Sequence, residues 1–445
     1  MATNIFPGVY TTIVDESFTM QPLPGTIGFI CLFSEKGPDN VPRMTTSVQD
    51  LINTYGVGNP AKYGQGWYVA KQYLSILGNL YVMRVLPETA GFANLGLKYN
   101  VGTDSVSTVF LTNIASVAAI LTKITDGNAD AIFYPVGRGS WYNDVAIKLT
   151  PSSEYAGLFS CYNIDIYQKT SEGEYVIAES FLISFDKDAV DYTNESLFVE
   201  YVLDKYSQLL RVKVSDTIDT TKDWSVPFTT FLNLKNGDDG NLFNATTGFL
   251  DWTVATQLLV RGYTGTLTNP FTGNLNDELT DPECLMFSVV FDAGYPTAVK
   301  DAIVDLCDIR TDCFAFLDNG DNPSPAAAIQ TRTTDHNYNN YRAALFEMYT
   351  KVYDAYTGKY YWFSPIYHFA KAFAKTDRDY DLWWPTAGLT RGVVDGIKDI
   401  RYKLVGGYKD QFKLNQLNPI MRWSNGGDCI WGNWTTQKRP SALQN

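Results

Sequence analysis

Residues 27–56 read IGFICLFSEKGPDNVPRMTTSVQDLINTYG, and residues 80–86 read LYVMRVL. Ile27 to Phe33 is a short apolar run that stops at Glu35 and the Gly37-Pro38 turn, the pattern of a buried strand. Ser47 stands three residues before Asp50, a capping-box-like start for a short helix that Gly56 closes. From Gly66 to Leu77, the apolar Trp67, Ala70, Leu74 and Leu77 recur at helical spacing, and Gly78 is placed to take the left-handed conformation at the helix end. LYVMRVL then supplies a second strand. Strand, helix, helix, strand predicts a parallel pair joined by a right-handed crossover.

Outward from this unit the texture changes. From about Gly91 to Asn276 the chain is rich in Thr, Ser, Tyr and Val, with frequent Asx-Gly turns and alternating runs such as DVAIKLT (144–150) and CYNIDIYQK (161–169). Helical interludes are expected at Ile114–Ile124 and Leu197–Leu209. The earlier grammar resumes near Cys284: CLMFSVVFD reads as a strand, TAVKDAIVDLCDIR as a helix, CFAFLD as a strand and NYRAALFEMY as a helix. The expectation is a multidomain, mixed α/β (α+β) chain whose α/β core is discontinuous. Its parts would be an extended arm at 1–20, core at 21–90, β-rich insertion at 91–283, and core again at 284–445.

Composition agrees with a folded, multidomain protein: 445 residues with 19% charged and 14% aromatic side chains, against roughly 150 residues per domain. No uncharged stretch is apolar enough to span a bilayer, so membrane insertion is not expected. MATNIFPGVY lacks the basic start and apolar run of a signal peptide, and a chain made and kept in a cytoplasm is expected. A net charge of −13 argues against direct nucleic-acid binding. The charge is uneven, because residues 391–439 hold nine basic and four acidic side chains, +5 locally against −18 elsewhere. Such a patch suits either a solvated face or a contact with an acidic partner.

Six scattered cysteines and two histidines suggest neither a disulfide framework nor a metal site, and buried free thiols are expected. No G-x-S-x-G, Walker A, G-x-G-x-x-G or H-E-x-x-H pattern occurs. His336 and His368 read as structural. Asp377, Asp379 and Asp381 alternate like the start of a calcium loop, but Leu382 and Gly388 stand where an EF-hand needs Gly and Glu. NGDDGN (236–241) reads as a tight turn. No catalytic, metal or cofactor residue is assigned. A carbohydrate-active or carbohydrate-binding protein using its aromatics is the alternative of another class, since paired carboxylates need not be neighbours in the chain.

Three separated stretches together resemble the contractile tail sheath proteins of bacteriophages. The first is PGVY (Pro7, Gly8, Val9, Tyr10), the 27–56 segment, and LYVMRV. The second is GRGSWYNDVAIKL (137–149) with ESFLISFD (179–186). The third is WWPTAGLTRG (383–392), LNPIMRW (417–423) and CIWGNWTT (429–436). The resemblance implies a non-enzymatic subunit of hexameric rings that stack into a helical polymer around a tail tube protein. Baseplate and tail terminator proteins would be further partners, and the terminal arms would add strands to neighbours' sheets. It implies a virion component, assembled in the host cytoplasm, that contracts to drive the tube through the host envelope. A bacterial contractile injection system is the alternative within the resemblance. Assembly contacts are expected at Pro7–Tyr10 and, on the basic stretch, at Lys398, Arg401 and Lys403. Family members continue past the WG-x-x-T motif into a Val-Arg-Arg strand and helices, so the closing part of the family's domain is expected to be missing beyond Asn445.

Overall fold

The computed structural model describes residues 26–155, 159–170, 172–225, 231–381, 383–423 and 427–444. Its centre is a nine-stranded sheet. Six neighbouring strands run parallel in the order Leu80–Arg84, Gly28–Leu32, Val289–Phe291, Phe314–Asp318, Ala343–Glu347 and Leu417–Trp423. Arg43–Thr45 adds antiparallel at one edge, and Gly427–Ile430 with Val393–Val394 at the other. In chain order the parallel strands lie 2-1-3-4-5-6, a doubly wound sheet whose winding reverses between Gly28–Leu32 and Val289–Phe291.

Apolar residues on both sides of the strands demand two covering layers. Leu32 faces Gly66, where an added Cβ would stand 2.8 Å from the leucine's own, while Cys31 faces Gly262 with its Sγ 3.1 Å from such a Cβ. Helices Gly66–Leu74 and Trp252–Tyr263 therefore cover opposite faces. Helix Pro365–Asp379 joins the first, since Phe373 and Tyr73 both meet Phe291. Helix Thr297–Arg310 packs with the second.

The opening unit has the predicted crossover, with Gly28 in register with Leu80. Ser47 accepts a hydrogen bond from Asp50 N, and Gly56 ends helix Val48–Tyr55 at φ 79°. Gly78 differs from expectation. The helix stops at Leu74 with Ser75 as its cap, and Gly78 is not left-handed. An added Cβ there would come within 2.6 Å of the Thr46 carbonyl oxygen, so this glycine is required by close backbone approach.

A second correction concerns NYRAALFEMY, expected as a helix. Ala343–Glu347 is a central strand with all five residues buried. Covered on both faces, a strand shows no alternation, and its composition then resembles that of a buried helix. CLMFSVVFD shortens to a strand at Val289–Phe291.

Between the core strands lie two antiparallel sheets. One runs Leu210–Val214, Ala131–Pro135, Leu95–Asn100, Ser105–Val109; the other runs Leu232–Asn233, Val145–Ser152, Cys161–Lys169, Tyr175–Ser184. They share one apolar core containing Leu95, Phe133, Ile147, Ile164 and Ile183, closed by Val199 and Leu203 of helix Val199–Tyr206. Helix Val117–Thr125 packs against Ile132 and Tyr134. Beyond residue 241 the packing reverts: Leu242, Leu250, Leu258, Leu259 and Tyr263 belong to the core of the nine-stranded sheet, although the expected insertion ran to 283. Among the described residues no helix is long and apolar enough to cross a membrane.

Candidate assembly surface

In doubly wound sheets, ligands bind outside the carboxyl ends of the strands at the reversal point. Here those ends carry Asp292, Asp318 and Glu347, the residues that follow or close three adjacent parallel strands. Lys300, from helix Thr297–Arg310, places its Nζ 3.0 Å from both Asp292 and Asp318. Asp292 also accepts from the backbone N–H groups of Ala293, Tyr295 and Asp318 at 2.7, 3.0 and 3.0 Å. Tyr349 donates to Asp318 at 3.0 Å, and Tyr295 donates to the Cys31 carbonyl at 2.6 Å.

This crevice is filled by the protein itself. Lys300 is 1% exposed, Tyr295 4% and Tyr349 7%. Burial pulls the Lys300 ammonium down, but the two carboxylates outweigh it and hold the group charged. Burial would raise Asp318 as well; the ammonium and hydrogen bonds, one from Ser364, keep it low. A closed and fully hydrogen-bonded ionic cluster locks neighbouring strands together.

The network continues outward. Glu347 accepts from Asn319 at 2.7 Å and Asn322 at 3.1 Å on one oxygen, and from Tyr402 at 3.0 Å on the other. Burial pushes its carboxyl up to about 7. His336 meets Asn319 at 3.1 Å and His368 meets Thr350 at 2.9 Å; burial lowers both imidazoles to about 4. Both histidines are held as neutral packing groups.

Tyr402 thereby anchors the basic stretch. Strand Ile397–Ile400 is an outer strand of a three-stranded sheet with Thr350–Asp354 and Lys359–Phe363. Lys398 and Lys403 are exposed. Arg401 is exposed too, yet it is engaged: it pairs with Asp321 at 2.7 Å, and its guanidinium lies 4.6 Å over the Trp362 ring. The three share one short segment, with Arg401 spent on holding it down. Pro7, Gly8, Val9 and Tyr10 lie outside the described residues.

The 137–149 motif, which from the sequence resembles the family's entry into its inserted β domain, forms a joint. Arg138 binds Asp39 through Nη2 at 2.7 Å and Nε at 2.8 Å, and Asp39 also receives the Arg138 backbone N–H at 2.8 Å. Arg84 donates to the carbonyls of Arg138 at 2.8 Å and Gly37 at 3.1 Å, and Tyr142 OH accepts from Gly37 N. The GPDN turn and the GRG motif are thus two halves of one buried contact between the two cores. The two halves meet at Gly37 and Gly137, where an added Cβ on Gly137 would lie 2.0 Å from the Gly37 carbonyl oxygen, and these glycines were the available signal.

The last motif is stitched onto the sheet. Asn418 accepts from Trp434 N at 2.9 Å and donates to Trp434 O at 2.8 Å. Thr436 N donates to Ala343 O at 2.8 Å. Gly432 has φ 118°, and an added Cβ would lie 2.7 Å from the Trp434 ring and 2.8 Å from Asn418 Oδ1. No side chain other than hydrogen fits there. Trp423 and Trp431 lie with ring centroids 4.9 Å apart. Five cysteines are buried; Cys284 is exposed, contrary to expectation, on the loop before Val289.

No protein-family model matches the chain. The sheath tail protein of Listeria innocua superposes with a TM-score of 0.53 at 11% identity, covering 94% of this chain and 70% of that one. The chain has the fold of the sheath tail proteins. A sheath tail protein of Desulfitobacterium hafniense gives a TM-score of 0.47 at 11% identity, over 98% of this chain and 77% of that one. In sequence, the tail sheath protein of Vibrio phage KVP40 is 24% identical over 194 residues, 38% of this chain and 29% of the phage protein. This sheath-fold chain therefore matches under a third of the length of that relative. Within the sheath fold, the 137–149 and 429–436 motifs are structural: one joins two cores, the other closes the sheet beside Ala343.

Proposed function

We propose that the chain is a structural, non-catalytic subunit of a contractile phage tail sheath. It polymerises as stacked hexameric rings around a tail tube and contracts to drive that tube through the host envelope. The sheath tail fold over 94% of the chain carries this reading. The closed crevice supports it: at the position where a doubly wound enzyme would open a site, this chain holds a buried salt-bridge cluster. A rigid core suits a machine whose subunits move as bodies.

The domain division follows as part of the proposal. Residues 26–90 and 242 onward form the core that carries ring contacts, and 91–241 form the outward module. Segment 1–20, with Pro7–Tyr10, acts as an arm that adds a strand to a neighbour, and Lys398 and Lys403 face the tube or an adjacent subunit. Partners are further copies, the tail tube protein, and the baseplate and tail terminator proteins; the polymer is assembled in the host cytoplasm and resides in the virion.

Co-expression with a tail tube protein, followed by negative-stain microscopy, tests the reading. Striated sheathed tubes are expected. Bare tubes beside a dispersed chain, under conditions where each protein is folded, would overturn it.

A further inference from the structure

A short turn joins helix Thr297–Arg310 to strand Phe314–Asp318, and a cysteine stands on each side of it. Cys307 lies in the last turn of the helix, and Cys313 directly precedes the strand. Their sulfurs are 3.3 Å apart. Both are enclosed, Cys307 at 0% and Cys313 at 3% exposed. A disulfide holds its sulfurs about 2.05 Å apart, so bond formation asks for a closing shift of about 1.3 Å.

The backbone on either side of the thiols is fixed. Thr311 takes the left-handed conformation at φ 62°, and its N–H donates to the Cys307 carbonyl at 3.0 Å. Arg310 grips Asp312 through Nε at 3.0 Å and Nη2 at 2.9 Å, and donates to the carbonyls of Leu279 and Leu285 at 2.8 and 2.7 Å. Beyond Cys313, Phe314 N donates to the Ser288 carbonyl at 2.9 Å, which starts the strand in place. Two thiols held in this way lose little freedom when they bond, so they pair with each other ahead of any other cysteine.

The two sulfurs are not equivalent. Contact with Cys313, and then burial, push the Cys307 thiol well above its usual range. Cys313 adjoins Thr311 and Asp312, which are exposed, so a small oxidant meets Cys313 first.

We propose that Cys307 and Cys313 form a redox pair, in which a peroxide oxidises Cys313 and Cys307 then closes a disulfide. The Cys313 sulfur attacks one peroxide oxygen and the O–O bond breaks, leaving a sulfenic acid; the departing oxygen takes the thiol proton and leaves as water. The Cys307 sulfur next attacks the Cys313 sulfur and displaces its oxygen, which leaves with the Cys307 proton as a second water. Two thiols thereby give two electrons and two protons to one hydrogen peroxide. The helix that carries Lys300 and the strand that carries Asp318 become one covalently closed unit. The pair acts within a single folded chain, whatever that chain assembles into.

Peroxide treatment of the full chain carrying Cys284→Ser tests this, since that substitution removes the exposed thiol. After treatment, alkylation in denaturant and digestion, mass spectrometry is expected to show the five remaining thiols reduced to three, with one disulfide joining 307 to 313. The thermal midpoint should rise by about 3 °C on oxidation and fall back on reduction. With Cys307→Ala added, Cys313 lacks its resolving partner and should accumulate as sulfenic and sulfinic acid. A disulfide to any other cysteine, or five thiols surviving a dose that fully oxidises Cys284 in the parent, would overturn the pair. An unchanged midpoint in the oxidised chain would overturn the closure of helix onto strand. Cys307 oxidising in a Cys313→Ala chain as fast as Cys313 does in the Cys307→Ala chain would overturn the order of attack.

Discussion

Arg138 and Asp39 meet at 2.7 Å, 99 residues apart, with side chains 3% and 0% exposed. Asp39 belongs to the turn after the first core strand and Arg138 to the link between strands Ala131–Pro135 and Val145–Ser152 of the β-rich module, so a single buried ion pair clasps two cores. Removing one partner of such a pair strands a charge in an apolar place, which costs about 3–5 kcal/mol. Arg138→Met is expected to lower the unfolding free energy by about 3–5 kcal/mol, read as a lower urea midpoint. It should also split one unfolding transition into two, as the β-rich module separates from the core; circular dichroism and tryptophan fluorescence followed together would show non-coincident curves.

Lys300 serves two carboxylates at once. Lys300→Met leaves Asp292 and Asp318 facing each other without a cation, and a loss of about 3–5 kcal/mol is expected from denaturant titration. Adding Asp292→Asn and Asp318→Asn removes the repulsion and should recover part of it. A single mutant as stable as the parent would show that the cluster contributes nothing.

Glu347 sets a pH dependence of definite sign. Burial raises its folded carboxyl to about 7, against about 4.3 in an unfolded chain. The folded state therefore holds the proton more tightly, and stability is full below about pH 4 and falls as pH rises toward 7. The loss is about 3 kcal/mol, from 1.36 kcal/mol per unit. His336 and His368, lowered to about 4, act oppositely and lose stability as pH falls from about 6.5. Subtracting the stability profile of Glu347→Gln from that of the parent isolates the carboxyl. The difference should grow in favour of the variant between pH 5 and 7.

Lys398 and Lys403 can be separated from Arg401 experimentally. Lys398→Glu with Lys403→Glu touches no contact described inside the chain, so thermal stability should change by under about 0.5 kcal/mol while polymerisation on the tube falls. Arg401→Glu instead breaks the Asp321 pair and sets like charges together, so its midpoint should drop. Normal tubes from the double variant would remove these lysines from the assembly surface.

Much of the core was legible because its signals are local. Ser47 and Gly56 frame a helix through hydrogen bonds within one turn, TAVKDAIVDLCDIR forms its helix over Thr297–Arg310, and DVAIKLT and CYNIDIYQK alternate because one face of each strand is covered. Ala343–Glu347 was misread for the opposite reason. With Phe316 on one neighbouring strand, Leu417 on the other, and helices over both faces, every side chain is apolar and no period survives. The order 2-1-3-4-5-6 was likewise out of reach, since it depends on which strand lies beside which after a crossover of about 200 residues.

The sequence by itself determined the alternation of strands and helices, the interrupted core and the chain-spanning resemblance, since each of these is written in spacing along the chain. Only the tertiary structure decided that Asp292, Lys300 and Asp318 close the crevice, that Arg138 reaches Asp39, and that Arg401 is engaged while Lys398 and Lys403 stand exposed. Those outcomes rest on distances between residues far apart in the chain, set when apolar faces are buried, and no pattern of neighbours encodes them.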